Sequence, residues 1–375
     1  MRGGSSRGPF FLASDLPSDI PTRDRVLLAV MGSPDRRQID GLGGAHPLTS
    51  KVGIVNCSNT PGVALDFLFA QLQPDQATVD TTPNCGNMLA AVVPFALECG
   101  LIAPQGDTTT VRVLTLNTNM QCDVTVQTLL LPGAVPQAGA SARRVRYHGD
   151  AGIDGVPGRS APITINFLDT AGSVCSGLLP TGKVLDVLTV AGHGFESFTL
   201  PVTCIDNGMP LVLLRASDVG RTGYETVATL NADTELKTRI EALRLKTGKV
   251  MGLGDVSAKN YPKMTLIAAP RAGGSLCTRS FIPHVCHDAI GVLAAVTVGT
   301  ACVLKGSVCE GIAVMPEGAT KIVSVEHPTG EFSVELGLDP SNPQQVIRAA
   351  LLRTARLIMR GEVMIPAAIW AGKQD

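Results

Sequence analysis

The sequence predicts a protein of mixed helices and strands, built from two similar halves. Its 375 residues exceed what one ordinary domain core accommodates, which suggests two domains. Hydrophobic residues make up 45% of the chain and charged residues 17%, so the chain can bury sizeable cores and does not have the composition of a disordered protein. The 40 glycines and 25 prolines predict many tight turns between short elements.

Two parallels between the halves indicate an internal duplication. MRGGSSRGPFFLASDL at 1–16 resembles IDNGMPLVLLRASDVG at 205–220, since both contain a glycine turn, an apolar run and a Ser-Asp loop. TTPNCGNMLAAVVPFALECG at 81–100 resembles FIPHVCHDAIGVLAAVTVGT at 281–300. We therefore expect each half to bring a polar loop to the N-terminus of an apolar helix that begins at a cysteine, Cys85 in one half and Cys286 in the other.

In the first half, apolar spacing predicts a helix over Asp24–Met31 and a nearly all-apolar helix over Cys85–Cys99. Gly100 suits the C-terminal cap of the second helix, and Pro94 within it predicts a kink or a short first segment. Alternating or continuous apolar runs predict strands at Lys51–Asn56, Leu65–Gln71, Val111–Leu116, Cys122–Leu131 and Ala161–Leu168.

The second half repeats this alternation of strands and helices. Helices are expected over Asp233–Lys246, which is amphipathic, and over Cys286–Leu304, which is apolar. Strand patterns lie at Val202–Leu214 (two strands joined by a turn at 206–210), Met264–Ala269, Lys321–Glu326, Gly330–Leu336 and Val346–Arg360. We place the first domain at 1–187, joined by a C-terminal strand at 362–375, and the second domain at 188–361.

Charge, cysteine content and hydropathy exclude several classes of protein. With 31 basic and 32 acidic residues, the chain has no basic field to hold nucleic acid. Its ten cysteines include no CxxC pair, which argues against a disulfide framework or a structural zinc site and favours the cytoplasm. The longest apolar stretch, 289–304, is shorter than the roughly 20 residues of a membrane span, and the N-terminal apolar patch is too short for a signal peptide.

Cys85 and Lys51 are the candidate catalytic residues that the local sequence suggests. Cys85 begins a predicted helix, whose N-terminus favours an anion; Gly86 allows close approach of a substrate, and Asn87 can donate to a carboxylate. The alternative for Cys85 is a small buried side chain. Lys51 lies between a glycine-rich turn and a strand, a place for a substrate clamp or an acid–base group. The alternative for Lys51 is a solvated lysine at a strand end.

The segment HVCH at 284–287 is a second polar cluster. His284, Cys286 and His287 would crowd three metal ligands into four residues with no partner cluster, which is untypical of structural zinc. We favour a carboxylate-binding helix start, to which Arg279 and Ser280 contribute, and expect no metal. The glycine-rich segments match neither the P-loop nor the Rossmann motif, so we also expect no cofactor.

Seven motifs in chain order resemble those of one family. They are MRGGSSRG (1–8), MGSPDRRQIDGLGG (31–44), LTSKVGIV (48–55), NCGN (84–87), GIDGVPGR (152–159), CIDNGMP (204–210) and TRSFIPHVCH (278–287). Together they are similar to the family of 2-methylaconitate cis–trans isomerases and 4-oxalomesaconate tautomerases, which has the diaminopimelate epimerase fold. The resemblance covers nearly the whole chain.

The resemblance implies an α+β fold of two pseudo-symmetric domains, each a β-barrel-like sheet wrapped around a central helix. It implies a cofactor-independent isomerase that shifts a proton and a double bond in an unsaturated oxo-tricarboxylate, with Lys51 and Cys85 as the catalytic pair. RDRVLLAVMGSPD (23–35) and CIDNGMP are most similar to the tautomerases of the family. This similarity implies keto–enol (1,3-allylic) isomerisation of 4-oxalomesaconate in the catabolism of aromatic acids such as gallate and protocatechuate.

The resemblance also implies a set of substrate contacts. They are Arg2, Ser5, Ser6, Thr49, Ser50, Gly86, Asn87, Asn207, Arg279, Ser280, His284 and His287. The first motif of the family usually reads MRGGTSKG, whereas this chain has Ser5 and Arg7 at the threonine and lysine positions. Ser5 keeps the hydroxyl, and Arg7 keeps the charge with a different shape. Because of the changed shape at Arg7, we expect a substrate preference different from the one usual in the family.

Three alternatives stay open at this point. The chain is a cis–trans isomerase of a related acid such as 2-methylaconitate, a non-catalytic tricarboxylate-binding homologue, or an epimerase that uses Cys85 and Cys286 as a pair. In each case the expected partner is a small di- or tricarboxylate, with no nucleic acid and no membrane. A homodimer is compatible with the sequence.

Overall fold

The computed structural model describes residues 1–130, 143–168, 170–192, 194–318 and 320–372, with residues 343–345 described by their backbone. The chain divides into two compact domains. The first consists of Met1–Leu168 and Leu352–Asp375, and the second of Asp169–Leu351. The sequence-based boundaries, 187/188 and 361/362, stay a prediction.

In the part of the chain that the structure describes, the first domain combines strands with three α-helices and two 3-10 turns. The helices are α1 (Ile20–Met31), α2 (Gly86–Leu89) and α3 (Val92–Glu98). The strands are β1 (Arg2–Gly3), β2 (Ser6–Arg7), β3 (Phe10–Leu12), β4 (Lys51–Cys57), β5 (Leu65–Gln73), β6 (Gln76–Asp80), β7 (Thr108–Thr115), β8 (Met120–Leu130), β9 (Arg143–Val145) and β10 (Ile163–Phe167).

The main sheet of this domain has the order β3-β4-β5-β7-β8-β10. The pairs β3–β4 and β5–β7 are parallel, so each needs a crossover connection, and α1 and the α2–α3 segment supply these connections. Alternating burial along β5 and β8 turns one face of the sheet towards the core. Leu27, Met31 and Val52 are fully or almost fully buried in one of its apolar clusters.

The second domain carries a longer run of paired strands. Its helices are α4 (Val227–Ala232), α5 (Thr234–Val250) and α6 (Val292–Val303). Its strands, given in the order in which they pair, are β11 (Asp186–Gly192), β12 (Phe195–Asp206), β13 (Pro210–Arg215), β14 (Lys263–Ala268), β15 (Leu276–Phe281), β16 (Thr320–His327), β17 (Gly330–Asp339) and β18 (Asn342–Arg353). The short strand β19 (Ala355–Arg356) belongs to the first domain, where it pairs with β1.

Helix α6 is the centre of the larger core of the second domain. It is apolar on nearly all sides, and its residues 294–301 are all buried. It packs against β12, β13, β16 and β17. A helix enclosed by strands in this way matches the prediction of a sheet wrapped around a central helix.

The strand registers confirm the predicted duplication. The pairs β3–β4 (parallel), β4–β5 (antiparallel), β5–β7 (parallel) and β7–β8 (antiparallel) recur in the same order as β13–β14, β14–β15, β15–β16 and β16–β17. The two Ala-Ser-Asp turns at 13–15 and 216–218 align the sequences so that Phe10 corresponds to Leu213. Phe10 pairs with Gly53 on the neighbouring parallel strand, and Leu213 pairs with Thr265. Two residues earlier, Lys51 and Lys263 therefore occupy equivalent places at the starts of β4 and β14.

Two helix predictions need correction. The segment Cys85–Cys99 is not one helix, because α2 ends at Leu89 and α3 begins at Val92, so the expected short first segment is confirmed. The prediction that a helix begins at Cys286 is wrong, since α6 begins at Val292 with Gly291 as its N-cap. Residues 281–287 instead form a tight return, in which the backbone N–H of Ile282 donates to Val285 O and that of His287 to Ser280 O.

Most of the remaining strand predictions agree with the structure to within three residues, and Leu131, at the end of one of them, lies outside the described residues. Two differ more, because β12 begins at Phe195 and not at Val202, and because the predicted strand Val346–Arg360 is divided into β18, which begins at Asn342, and β19, which ends at Arg356. The expected strand at 362–375 is wrong for the described part, because residues 362–372 have no strand pairing. Apolar side chains at Val363, Ile365, Ile369 and Trp370 pack there on a core of the first domain. Among the described residues, no helix has the length and apolarity to cross a membrane.

Candidate functional site

Lys51 is a nearly buried lysine held by neutral groups. It is the first residue of β4 and is 8% exposed. Its ammonium donates a hydrogen bond to Oε1 of Gln71, the residue opposite it on β5, and lies 4.9 Å from the ring centroid of Phe69. Within the described ranges no Asp or Glu forms an ion pair with Lys51. The solvated strand-end alternative is therefore wrong for Lys51.

The turn before Lys51 is fixed by its own hydrogen bonds. A 3-10 turn at Pro47–Thr49 is capped by the ring of His46, whose Nδ1 accepts from the N–H of Leu48 at 3.1 Å. The hydroxyl of Ser50 is fully buried and lies 2.9 Å from both Gln38 Oε1 and His46 O. Thr49 remains partly exposed. Of these two predicted substrate contacts, Thr49 therefore has the more accessible side chain.

Cys85 is the N-cap of α2 and is partly exposed. Its backbone N–H donates to Asn84 Oδ1 at 2.8 Å. Two residues on, Asn87 Nδ2 donates to the Ser5 hydroxyl at 3.1 Å, so the start of α2 is bonded to the β1–β2 hairpin. A Cβ added at Gly4, where φ is +52°, would lie 2.1 Å from Oδ1 of Asn87. Only glycine satisfies both this contact and this backbone conformation.

The hairpin also orders Arg2 and Ser6. The Arg2 guanidinium donates to Gly4 O at 2.8 Å and to Thr354 Oγ1 at 2.9 Å, and lies 3.4 Å from Ser160 Oγ. Burial, and secondarily the charge of Arg356, lowers the Arg2 pKa. The hydroxyl of Ser6 is buried and has no hydrogen-bond partner among the described residues. An unsatisfied buried hydroxyl is costly in a folded protein, and a bound polar ligand would remove that cost.

These residues lie on elements that contact one another within the first domain. Helix α2 packs against β1, β2 and β4, and the turn at 47–49 packs against β2 and β5. The arrangement packs the strand that begins with the Lys51 amine against the short helix capped by Cys85, and hydroxyl and amide groups lie on the adjoining hairpin and turn. Such a set can bind carboxylates and move a proton between two positions of a substrate.

Asn207 is the first of the predicted substrate contacts that lie in the second domain. The amide of Asn207 is buried and occupied at both ends, because it accepts from Thr170 Oγ1 at 2.6 Å and donates to Thr300 Oγ1 at 2.8 Å. Its backbone N–H bonds to Thr297, so Asn207 ties the β12–β13 turn to α6. In the described fold this side chain serves structure, and its role as a substrate contact stays a prediction.

Arg279 and Ser280 are buried on β15. The Arg279 guanidinium donates to Glu225 O and Thr278 O, both at 2.8 Å, and the Ser280 hydroxyl lies 2.9 Å from that of Thr265. Their predicted role in binding a carboxylate stays a prediction.

The histidines and Cys286 do not head a helix. His284 and His287 are exposed, and His284 Nδ1 lies 3.5 Å from Glu241 Oε2. Cys286 is 2% exposed, and its backbone N–H donates to Asn231 Oδ1. Burial raises the pKa of its thiol to about 11. Cys286 is thus a buried side chain, whereas Cys85 is partly exposed. Among the described residues, no group of three or more His, Cys, Asp or Glu side chains is arranged to hold a metal ion.

Comparisons with known proteins agree with this architecture. The model of the PrpF protein family matches residues 1–366. The chain belongs to the PrpF family. A (4E)-oxalomesaconate Delta-isomerase of Novosphingobium sp. is 53% identical over 365 residues, 97% of this chain and 96% of that protein. A 4-oxalomesaconate tautomerase of Pseudomonas putida is 52% identical over 375 residues, 100% of this chain and 97% of that protein.

More distant PrpF-family proteins include a 2-methyl-aconitate isomerase of Shewanella oneidensis, 32% identical over 98% of this chain and 96% of its own length. The crystal structure of a methylitaconate-delta-isomerase aligns with a TM-score of 0.80 at 32% identity, covering 98% of this chain and 95% of that chain. The predicted α+β fold and the predicted family are confirmed, and so is the prediction that the chain is an isomerase.

Some residues of this PrpF-family site are not indicated by the sequence motifs. Gln71, Gln38 and His46 support Lys51 and the turn before it, and Thr354 and Ser160 support Arg2. The pairing of Gln71 with Lys51 could have been predicted from sequence. The two predicted strands Lys51–Asn56 and Leu65–Gln71 are consecutive, and in an antiparallel pair the end of the second lies opposite the start of the first. The contact of Thr354 with Arg2 could not have been predicted in this way, since the two residues are 352 positions apart in sequence.

Proposed function

We propose that this protein is a cofactor-independent 4-oxalomesaconate tautomerase. It interconverts tautomers of this unsaturated oxo-tricarboxylate by moving one proton, with a matching shift of the double bonds. One observation supports the reaction class. Lys51 is nearly buried and is held by neutral groups, and its strand packs against the short helix whose N-cap is Cys85. The substrate is proposed from the two relatives with 52–53% identity over nearly their whole length.

In the proposed mechanism Lys51, as the neutral amine, removes a proton from the carbon next to the conjugated carbonyl system. The electron pair of the broken C–H bond forms a new C=C bond, and the negative charge moves onto the carbonyl oxygen as a dienolate. Hydroxyl and amide donors around the start of α2 stabilise that charge. A proton then returns at the far end of the conjugated system, from the Lys51 ammonium or from Cys85. When Cys85 supplies it, the Lys51 ammonium releases its proton to solvent and the Cys85 thiolate takes one up, which restores both groups.

The substrate contacts proposed for the first domain have separate tasks. The unpartnered Ser6 hydroxyl is suited to accept or donate a hydrogen bond to a substrate oxygen, and Asn87 and Gly86 present an amide and a backbone close to Cys85. Thr49 supplies a partly exposed hydroxyl beside Lys51, whereas Ser50 and Arg2 order the backbone around them. Asn207, Arg279, Ser280, His284 and His287 are proposed as contacts on the basis of family resemblance.

The proposal includes a cellular setting. We place the enzyme in the cytoplasm, in the catabolism of gallate and related aromatic acids, with the tricarboxylate as its small-molecule partner and with no need for nucleic acid or a membrane. The ten cysteines are all free, as this setting requires.

The proposal is tested by proton NMR and ultraviolet absorbance with purified protein and 4-oxalomesaconate in D2O. We expect faster approach to equilibrium than without protein and deuterium at the carbon that receives the proton, without added metal or cofactor. Lys51→Ala should remove both effects. If the protein turned over 2-methylaconitate and not 4-oxalomesaconate, the proposed substrate would be wrong and 2-methylaconitate would take its place. Tight binding of the acid with no deuterium exchange would support the non-catalytic alternative.

A further inference from the structure

Gln71 is the direct neighbour of the Lys51 amine and has no role in the mechanism so far. The β4–β5 register places the two residues opposite each other, so their side chains emerge on the same face of the sheet. Gln71 Oε1 accepts a hydrogen bond from the Lys51 ammonium. Among the described residues, Gln71 is therefore the polar group that holds the lysine nitrogen.

The orientation of the Gln71 amide is determined by its other end. Nε2 lies 2.9 Å from Leu72 O, 3.1 Å from Pro47 O and 3.2 Å from Ser50 O. A flipped amide would direct Oε1 at three carbonyl oxygens and an N–H at the ammonium, and both contacts would be repulsive. The turn that carries Thr49 and Ser50 thus forces the oxygen of Gln71 towards Lys51.

An oxygen acceptor at this place controls the direction of the amine lone pair. A carbonyl oxygen holds an N–H whether the lysine is charged or neutral, and it does not hold the lone pair. The ring face of Phe69, 4.9 Å from Nζ, occupies a second side. When Lys51 is neutral, its lone pair is therefore directed away from the Gln71 oxygen and from the Phe69 ring.

The equivalent place in the second domain lacks this amide. The β14–β15 register pairs Met264 with Phe281, and one further step places Ile282 opposite Lys263. The aromatic neighbour also differs, since Ser280 stands where Phe69 stands in the first domain. The amide and the ring are thus features of the first-domain lysine and are not requirements of the repeated fold.

We propose that Gln71 is a positioning residue that aims the Lys51 lone pair at the substrate carbon and couples it to the turn at 47–50. The proposal rests on the proposed role of Lys51 as the base. Gln71 itself gains and loses no proton in the reaction.

The first test compares Gln71→Met, which removes the acceptor at similar volume, with the control Gln73→Met two residues along the same strand. Because a base that is present and badly aimed still binds substrate, we expect kcat to fall roughly 10-fold to 100-fold and KM to change less than about threefold for Gln71→Met. Gln73→Met should change neither constant. Unchanged kcat in a folded Gln71→Met protein would overturn the proposal.

The second test uses pH and the variant Gln71→Glu. A carboxylate beside the ammonium favours the charged form, so a higher pH is needed to free the base, and the acidic limb of the kcat profile should move to higher pH by about one unit or more. If the variant does not fold, Gln71→Met and Gln71→Leu provide the comparison with the wild-type limb. If Gln71 had a purely structural role, the variants would lower the amount of folded protein and the acidic limb of the kcat profile would stay at the wild-type pH.

A third measurement is independent of turnover. The rate of acetylation of Lys51 by acetic anhydride is followed by mass spectrometry as a function of pH in wild type and Gln71→Glu. The pH dependence should shift upward in the variant, and an unchanged dependence would contradict contact between the two groups. If Lys51→Ala kept full activity while the labelling shift was present, the proposed base would fail and the contact would stand.

Discussion

Lys51 and Lys263 occupy equivalent positions in the two repeats and have different surroundings. Lys51 faces the amide of Gln71 and the ring of Phe69, and it follows a turn tied together by Gln38 and His46. Lys263 is partly exposed, faces Ile282, and has its pKa lowered by burial alone. The duplicated scaffold thus supplies a lysine twice, and the neighbouring side chains decide which copy is oriented by a hydrogen bond.

The two helix starts differ in the same manner. At α2 the N-cap is the partly exposed Cys85, and Gly4 lies against Asn87. At α6 the N-cap is Gly291, and Gly208 lies against the side chain of Leu293. A polar helix start in one repeat corresponds to an apolar one in the other. Lys263 Nζ lies 3.7 Å from the position of a Cβ on Gly291, so the second repeat keeps the amine without the thiol.

The largest expected effect comes from removing each lysine in turn. Lys51→Met should lower kcat by roughly 10²-fold to 10⁴-fold, the usual cost of losing a general base. Lys263→Met should stay within about threefold of wild type in the same deuterium-exchange assay. A comparable loss in both variants would show that the second repeat contributes its own acid or base and that Lys51 and Lys263 do not differ in function.

The two cysteines should separate activity from stability. Cys85→Ser should lower kcat roughly tenfold or more, since a hydroxyl is a weaker acid than a thiol, with little change in unfolding. Cys286→Ser should leave kcat nearly unchanged and lower the free energy of unfolding by about 1–2 kcal/mol, because it buries a hydroxyl. Urea unfolding and steady-state kinetics measure the two quantities. If Cys286→Ser lowered kcat and Cys85→Ser lowered only the free energy of unfolding, Cys286 would be the functional thiol.

Thiol labelling should distinguish the same pair by pH. Iodoacetamide reacts with the thiolate, and burial raises the pKa of Cys286 to about 11, so this thiol stays protonated and protected near pH 8. The raised pKa stabilises the fold below the unfolded value of about 8.5, and that contribution is lost as the pH rises towards 11. Of these two thiols, the partly exposed Cys85 should label first, alongside the exposed Cys57 and Cys99. Rapid labelling of Cys286 at pH 8 in native protein would contradict its burial.

The smallest contrast concerns the glycine turns. Gly4→Ala should lower the free energy of unfolding by roughly 2 kcal/mol or more, because φ is +52° and the new Cβ would meet not only Asn87 Oδ1 at 2.1 Å but also Asn87 Cβ at 2.9 Å, which no side-chain rotation removes. Gly208→Ala, with φ +94° and Leu293 Cδ2 at 3.0 Å, should cost about 1–2 kcal/mol, since that side-chain end can move aside. Thermal or urea unfolding of both variants checks the order. Equal losses would mean that the Asn87 contact adds no strain.

Local sequence patterns predicted a large part of this molecule. The apolar alternation of β4, β5, β7 and β8, the helix α5 after its Asp233 cap, and the repeated Ala-Ser-Asp turns are properties of neighbouring residues, and they agree with the structure. Lys51 and Cys85 were suggested by short motifs for the same reason. The match between TTPNCG and FIPHVC was misleading, because the helix register follows the shared Leu-Ala-Ala-Val segment at 89–92 and 293–296.

By itself, the sequence determined the number of repeats, the order and type of most elements, and the membership of the PrpF family, since periodicity and motif spacing are encoded along the chain. Tertiary structure decided which residue stands opposite Lys51, where α6 begins, and that Cys286 and the Asn207 amide are buried. These facts depend on strand register and on contacts between residues far apart in sequence. A one-residue change of register would replace Gln71 by a side chain on the other face of the sheet.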